Sequence, residues 1–319
     1  MSLVLGIDAG GTKTLAASVD RLGTVLALVS GAGLDPTRAS DPRGELSAFV
    51  DRIADAHLIE AATLGLPYHD EIARISAMQG EVAESRFGQS ARVHNDVDIA
   101  HVGAFAGAEG VLCLAGTGSM AWAKGPKGVA RAGGYGDLIG DEGSAFWIGR
   151  EALALLSREA DGRRERSPFG MALAETLGFD AADLIDWTYG HADRRAAVAG
   201  VARRVSALAE AGDRTASTIL RAAGNELALI VRAAARTADL PDAAPWACAG
   251  GVFADAIVRD TLAEALGAPP MESVLPPVGG AVLDAALRAG WQVDAAWIAR
   301  LRAGLGQTGT SEPRERTKA

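Results

Sequence analysis

An α/β chain of two domains is what the sequence predicts, on three observations. The length of 319 residues exceeds what one hydrophobic core usually holds. Apolar strand-like runs gather early in each half, with helical patterns behind them. Two segments of one kind, GIDAGGTKT from residue 6 and GVLCLAGTGSMAWA from residue 110, lie roughly 100 residues apart, each with an apolar run entering a tip of Gly, Thr, Ser or Lys. Such a pair suggests two related halves facing each other across a cleft.

Composition narrows the class further. Hydrophobic residues make up 49% of the chain, ample for a buried core. No apolar run has membrane-spanning length, and MSLVLGID lacks the zones of a signal peptide, so a cytoplasmic protein with no membrane partner is expected. Forty acids against 31 bases give a net charge of -9, which offers nucleic acid no long-range attraction and favours a small-molecule partner. The two cysteines, Cys113 and Cys248, sit in apolar strand-like runs, where free buried thiols are expected rather than a disulfide.

The elements follow in order. Gly6 and Gly11 carry the G-x-x-x-x-G spacing of a Walker loop, but Gly11 is followed by Thr12 and Lys13 instead of Lys-Ser or Lys-Thr and a helix. The next residues, TLAASVDRLGTVLALVS, read as two short strands about a DRLG turn. The glycine tip therefore belongs to a β-hairpin. It is either an ordinary glycine turn or an anion-binding nest of backbone N–H groups, with Thr12 and Thr14 as added donors and Lys13 as a mobile cation.

After a loop, GAGLDPTRASDPRGEL, the positions Leu46, Phe49, Val50, Ile53 and Ala54 have the spacing of a buried helix face, and LGLP is read as its end. IARISAMQG reads as a strand. ARVHNDVDIAHVGAFAG reads as a short strand entering a helix, with Asp96 and Asp98 where a helix start favours acids. The second hairpin comes next, then ARAGGYGDLIGDEGSAFWIGREALALL, a glycine-punctuated loop before a helix that Asp141 or Ser144 would cap. Residues 151–235 read as several helices. APWACAGGVFADAIVRDTLAEAL is a strand, a Gly-Gly turn and a helix, and VLPPVGGAVLDAALRAG supplies the last helix. The tail GTSEPRERTKA is polar and expected to be disordered.

Taken in order, GIDAGGTKT, HNDVDIA, LAGTGSMAW, GGYGDLIGDEGSAFWIG, LAEAGDRTASTILRAAGNELA and CAGGVF resemble the N-acetylglucosamine kinase and BadF-type ATPase group of the actin-like, sugar-kinase ATPase superfamily. The resemblance covers nearly the whole chain, and GDEGSAFWIG is its most specific piece. It implies two ribonuclease H-like lobes, residues 1–107 and 108–319, with the last helix able to pack back on the first lobe. ATP and Mg2+ would bind with the sugar in the cleft between the lobes. By the same resemblance Gly10, Gly11, Thr12, Lys13 and Thr14 match the first phosphate loop, with Thr12 the direct contact. Asp8 matches the acid that holds magnesium, commonly through water. Thr117, Gly118 and Ser119 match the second phosphate loop, Gly250 and Gly251 the adenosine motif, and Ala211 and Gly212 a segment on the adenine's other face.

Asp96 matches the catalytic base, also in contact with the substrate. The chemistry agrees, because an alcohol attacking a phosphoryl group needs its proton accepted and its oxygen aligned. The alternative for Asp96 is a helix N-cap. Asp141 matches a sugar-binding acid and Gly134 the backbone lining the same pocket; helix capping is compatible with that role. His94 and His101 read as packed or surface imidazoles, and Asp98 as surface or capping. Two departures stand out. Asp35 occupies a loop where relatives often carry an asparagine that contacts the sugar, and Met120 stands where some have asparagine. An acid at 35 would favour a positive amine.

The implied function is ATP-dependent phosphorylation of an amino sugar, N-acetylglucosamine at its 6-hydroxyl foremost, by a homodimer. Glucosamine kinase and a BadF-type ATPase of another function are the alternatives. An electron-transfer activator would hold an iron–sulfur cluster through paired cysteines on helix ends, whereas these lie in strands. A sugar-sensing repressor would carry a DNA-binding domain ahead of the first strand and a zinc motif.

Overall fold

The computed structural model describes residues 2–11, 13–54, 56–179 and 183–306. Thr12, expected to touch phosphate, and the tail GTSEPRERTKA lie outside the described residues. The chain divides into two compact units, Met1–Ala108 with Glu272–Ala319, and Glu109–Met271. The second unit ends at 271, where the second lobe was expected to run to 319 with its last helix able to pack back, and 272–319 belongs with the first unit.

In the first unit β1 (Leu3–Ala9), β2 (Lys13–Asp20) and β3 (Val25–Ala32) form an antiparallel meander. Both turns have local causes. Gly10 N–H donates to the Lys13 carbonyl at 3.0 Å and closes the first. In the second, Asp20 Oδ1 accepts from the Leu22 and Thr24 amides at 2.9 Å each, and Gly23 supplies a φ of 85°. After α1 (Pro42–Asp51), β4 (Ile59–Leu66) adds to β1 in parallel, then α2 (Ala73–Phe87) leads to β5 (Ala91–Asn95), which extends the sheet to the order β3-β2-β1-β4-β5. The helix α3 (Asp96–Phe105) follows without a break.

Two expectations are overturned here. LGLP does not end a helix: it lies in β4 and the loop after it, and α1 stops at Asp51. A parallel strand covered on both faces reads as a continuous apolar run, with no alternation to mark it. IARISAMQG is not a strand but enters α2, whose buried Ile75, Gln79, Val82, Ala83 and Phe87 recur at three and four residues.

The second unit repeats the opening topology. β6 (Gly110–Ala115), β7 (Ser119–Gly125) and β8 (Gly128–Gly133) form an antiparallel meander, and β9 (Trp246–Ala249) joins β6 in parallel, giving the order β8-β7-β6-β9. β8 was expected to be loop; its pairing with β7 makes it an edge strand. Helices α4 (Ala145–Ala160), α5 (Pro168–Leu177), α6 (Leu184–Gly190), α7 (Arg194–Glu210) and α8 (Arg214–Thr237) precede β9, and α9 (Ala256–Leu266) follows it. Ser144 is the cap of α4, accepting from the Trp147 amide at 3.1 Å, so Asp141 is free of that duty. Cys113 and Cys248 are free thiols on register-paired positions of β6 and β9; Cys113 is buried, Cys248 only half-buried.

The chain then gives α10 (Pro277–Arg288) and α11 (Ala295–Gly306) to the first unit, so the helix expected to be last is followed by another. A Cβ at Gly6 of β1 would stand 2.5 Å from the Val282 amide nitrogen, so α10 lies directly on the sheet. Val4, Ala17, Val19, Ala61, Val278, Val282, Trp297 and Leu301 form one apolar layer there. Among the described residues no helix is long and apolar enough to cross a membrane.

Candidate active site

The first unit brings an acid pair to the carboxyl ends of β1 and β5. Asp8 is the penultimate residue of β1, and Asp96 is the first residue of α3. Asn95, not Asp96, caps that helix: its Oδ1 accepts from the Val97 amide at 3.0 Å, and its Nδ2 donates to the His69 carbonyl at 3.0 Å and to Glu71 Oε1 at 3.4 Å. Asn95 is thus the cap, while the Asp96 carboxylate, one position on, accepts from the Val97 amide and its own.

Burial pushes Asp8 up to about 7, and the neighbouring charge of Asp96 adds to the rise, while Lys13 opposes it. Asp96 is pushed up to about 6, chiefly by burial and further by Glu71, against hydrogen bonds from the Val97 amide and its own. Paired titratable groups shifted toward neutrality are what acid–base chemistry and cation binding both use.

Around the hairpin tip, Gly11 and Lys13 are exposed, and Gly10 is half-buried, its carbonyl accepting from the Leu34 amide at 3.1 Å. Thr14 is corrected as a phosphate donor. Strand alternation turns it inward, where its hydroxyl donates to the Ala32 carbonyl at 2.8 Å. Asp35 accepts from the Thr37 amide at 2.9 Å and the Thr37 hydroxyl at 2.6 Å, and Arg38 Nε stands 3.7 Å from its other oxygen. It lines a pocket with Pro36, Glu45, Leu66, Pro67 and Gln79. His94 is neither packed nor idle: its ring bridges Asp98 at 2.9 Å and Asp284 at 3.8 Å, which also removes Asp98 from the surface and capping roles expected of it. His101 is fully buried, with its ring 4.7 Å from that of Phe105.

In the second unit the tip of the β6–β7 hairpin is fastened to the start of α4. The Ala145 amide donates to the Gly116 carbonyl at 2.9 Å and the Phe146 amide to the Thr117 carbonyl at 3.3 Å. Thr117 is exposed. Ser119 is corrected as a side-chain phosphate donor, since its buried hydroxyl donates to the Glu142 carbonyl at 2.6 Å. Gly118 has a reason to be glycine: a Cβ would stand 2.8 Å from both Asp141 Oδ2 and Arg195 Nη2.

Asp141 is buried, holds a φ of 57° that few residues other than glycine adopt, and receives the Arg195 guanidinium at 2.7 Å and the Ser119 amide at 3.4 Å. Gly134 follows β8 directly; its carbonyl accepts from Arg131 Nη2, and a Cβ there would meet Met120 Cε at 2.6 Å. Gly250, at φ 109°, lies so near Ala115 that a Cβ would overlap the Ala115 carbonyl oxygen, which seats the Gly250–Gly251 turn beside the start of the second tip. Gly251 is exposed with open space around it. Ala211 ends α7 and Gly212, at φ 94°, turns the chain toward α8 with open space beside it.

Asn95, Glu71 and Arg195 belong to these clusters and were missed in the sequence. Asn95 directly before the helical acid was a legible cap signal. Arg195 lies 54 positions from Asp141, and no local pattern marks it.

Repeated meander-plus-parallel-strand units, each with a glycine tip, define the fold class of the actin-like ATPases. The family model described as BadF/BadG/BcrA/BcrD ATPase family matches residues 5–287, and the chain belongs to that family, so it uses ATP. It is 27% identical over 249 residues to an N-acetylmuramic acid/N-acetylglucosamine kinase of Clostridium acetobutylicum, covering 73% of this chain and 79% of that protein. An N-acetyl-D-glucosamine kinase of Dictyostelium discoideum is 29% identical over 206 residues, 59% of this chain and 64% of that one. Among solved structures, a candidate N-acetylglucosamine kinase from Chromobacterium violaceum is 29% identical with a TM-score of 0.69, over 89% of this chain and 99% of that one.

Proposed function

We propose that the protein is an ATP- and Mg2+-dependent kinase that phosphorylates an N-acetylated amino sugar, N-acetylglucosamine foremost, on its 6-hydroxyl. The observation that carries the reading is Asp96: a carboxylate fixed at a helix start by the Asn95 cap and raised to about 6, beside a second acid raised to about 7. The three relatives named above, whose descriptions all include N-acetylglucosamine kinase, support the substrate class.

The donor set fits the cation. Burial disfavours both carboxylates as anions, and the charges of Asp96 on Asp8 and of Glu71 on Asp96 add to it; a divalent ion would relieve them, with Asp8 holding it directly or through water. The bound ion would neutralise charge on the phosphates. Asp96 accepts the hydroxyl proton as the sugar oxygen attacks, and its fixed position aligns that oxygen. Gly10, Gly11, Lys13, Thr117 and Gly118 offer backbone or cationic contacts to phosphate, with Thr12 beside them in sequence. Gly251 and Gly212 leave open space for the adenosine, with exposed Ala211 beside Gly212 and Gly250 seating the turn against Ala115. Asp141 and the Gly134 segment take sugar hydroxyls, because an ionised carboxylate accepts two at once.

Asp35 weakens the glucosamine alternative, because its negative charge already faces Arg38 and Thr37. A panel of hexoses, hexosamines, N-acetylhexosamines and N-acetylmuramic acid, read by ADP release, tests the reading. Turnover is expected with N-acetylglucosamine and should nearly vanish in Asp96→Asn, which keeps ATP binding. Substantial residual turnover in that variant removes the assigned base.

A further inference from the structure

We infer that Arg195 is a positioning residue: it holds the Asp141 carboxylate against the second phosphate tip, so that the sugar acid and the phosphate loop move as one piece. The inference rests on the assignment of Asp141 to the sugar.

Three observations carry it. First, the two Asp141 oxygens reach different partners, Oδ2 the Arg195 Nη2 at 2.7 Å and Oδ1 the Ser119 amide at 3.4 Å. A buried carboxylate in a left-handed backbone conformation is held on both sides, and one of the holders belongs to the tip itself. Second, Arg195 Nη2 lies beside the tip, 2.8 Å from where a Gly118 Cβ would stand. The guanidinium thus fills the place that a side chain at 118 would take. Third, Arg195 Nε is buried with no hydrogen-bond partner and faces Asp137 only across 3.5 Å. A planar guanidinium that donates to Asp141 with Asp137 across its other edge orients the Asp141 carboxylate, which a point charge on a flexible stem does not.

Arg195 sits in the first turn of α7, and α7 packs tightly on α4, with Gly149 of α4 against the backbone of Val198. α4 is in turn bonded to Gly116 and Thr117. The charged contact and the helix pair therefore brace the same tip from two sides.

The test begins with wild type and Asp141→Asn on N-acetylglucosamine; failure of the sugar to be turned over, or an Asp141→Asn variant with wild-type kinetics, counts against the sugar assignment itself. Given turnover that depends on Asp141, Arg195→Ala should lower kcat/KM for the sugar by roughly 100-fold, as a displaced positioning group does. KM for ATP should rise as well, because the tip loses its brace. Free guanidinium, far below denaturing concentration, should restore much of the loss. Wild-type kinetics in Arg195→Ala would overturn the inference, as would a loss that guanidinium leaves untouched in a variant whose thermal midpoint matches wild type. Should Arg195→Ala not fold, Arg195→Lys decides: a raised KM for the sugar supports the inference, and an unchanged KM overturns it.

Discussion

Asp8, at the end of β1, is raised to about 7 by burial and, after that, by the negative charge of Asp96 at the start of α3. Two strands that are separated in the sheet by β4 thus bring the Asp96 charge within reach of Asp8. The pH dependence of both activity and stability follows from that relationship.

A base must be ionised to accept a proton. With Asp96 near 6, and with saturating Mg2+ keeping Asp8 ionised, kcat/KM should be flat above neutrality and fall about tenfold for each pH unit below roughly 6. A pH–rate profile measures it; a plateau continuing down to about pH 5 would leave Asp96 without the role.

Stability should move the opposite way. Asp8 has a folded pKa above its ordinary value of 3.8, so between 3.8 and about 7 the folded protein holds a proton that the unfolded chain has released. Its contribution is therefore lost as pH rises through that window, by on the order of a few kcal/mol at neutrality. Asp8→Asn removes the charge and keeps the shape. The variant should have a higher thermal midpoint than wild type at pH 8, with no turnover, and the difference should shrink toward pH 4.

Gly250→Ala should weaken nucleotide binding and cost about 1–3 kcal/mol, since it combines an unfavourable φ with an overlap against the Ala115 carbonyl. Nucleotide titration and thermal melting together check it. Gly251→Ala, in open space, should be well tolerated in the melt.

Gly280→Ala tests the packing behind the acid pair. A Cβ there would run into the Ile99 carbonyl and the Gly103 amide, forcing α10 off α3. A loss of about 1–3 kcal/mol in chemical denaturation is expected, with turnover reduced because α3 begins at Asp96.

Asp35→Asn should leave the preference between glucosamine and N-acetylglucosamine unchanged, because the carboxylate is already faced by Thr37 and Arg38. A shift of preference away from glucosamine, read from the two kcat/KM values, would reinstate an ammonium-binding role.

Much of this was legible in the sequence, for physical reasons. The glycine tips stood out because each interrupts an apolar run with residues that suit tight turns. The Asp96 junction stood out because an acid follows a short strand and opens a helix. β4 was hidden because burial on both faces removes alternation. IARISAMQG misled because Ile72 and Ile75 look like strand residues in a short window, while the helical period shows only once Gln79, Val82 and Phe87 are included. Thr14 and Ser119 looked like phosphate donors because hydroxyl residues sit in both tips; which way each hydroxyl points is decided by register and by the α4 loop, neither of which composition reports. Arg195 was out of reach altogether, since only the tertiary fold brings it to Asp141.

The return of α10 and α11 to the first unit has a consequence for how the chain is made. The segment 109–271 is contiguous and can gather its core as soon as it leaves the ribosome. β1 to β5 emerge earlier but must wait, with Val4, Ala17 and Val19 uncovered, until Val282, Trp297 and Leu301 are synthesised. The half of the protein that carries Asp8 and Asp96 is thus translated first and finished last, and a nascent chain of which only the first 271 residues have emerged would hold a complete second unit and an unfinished first one.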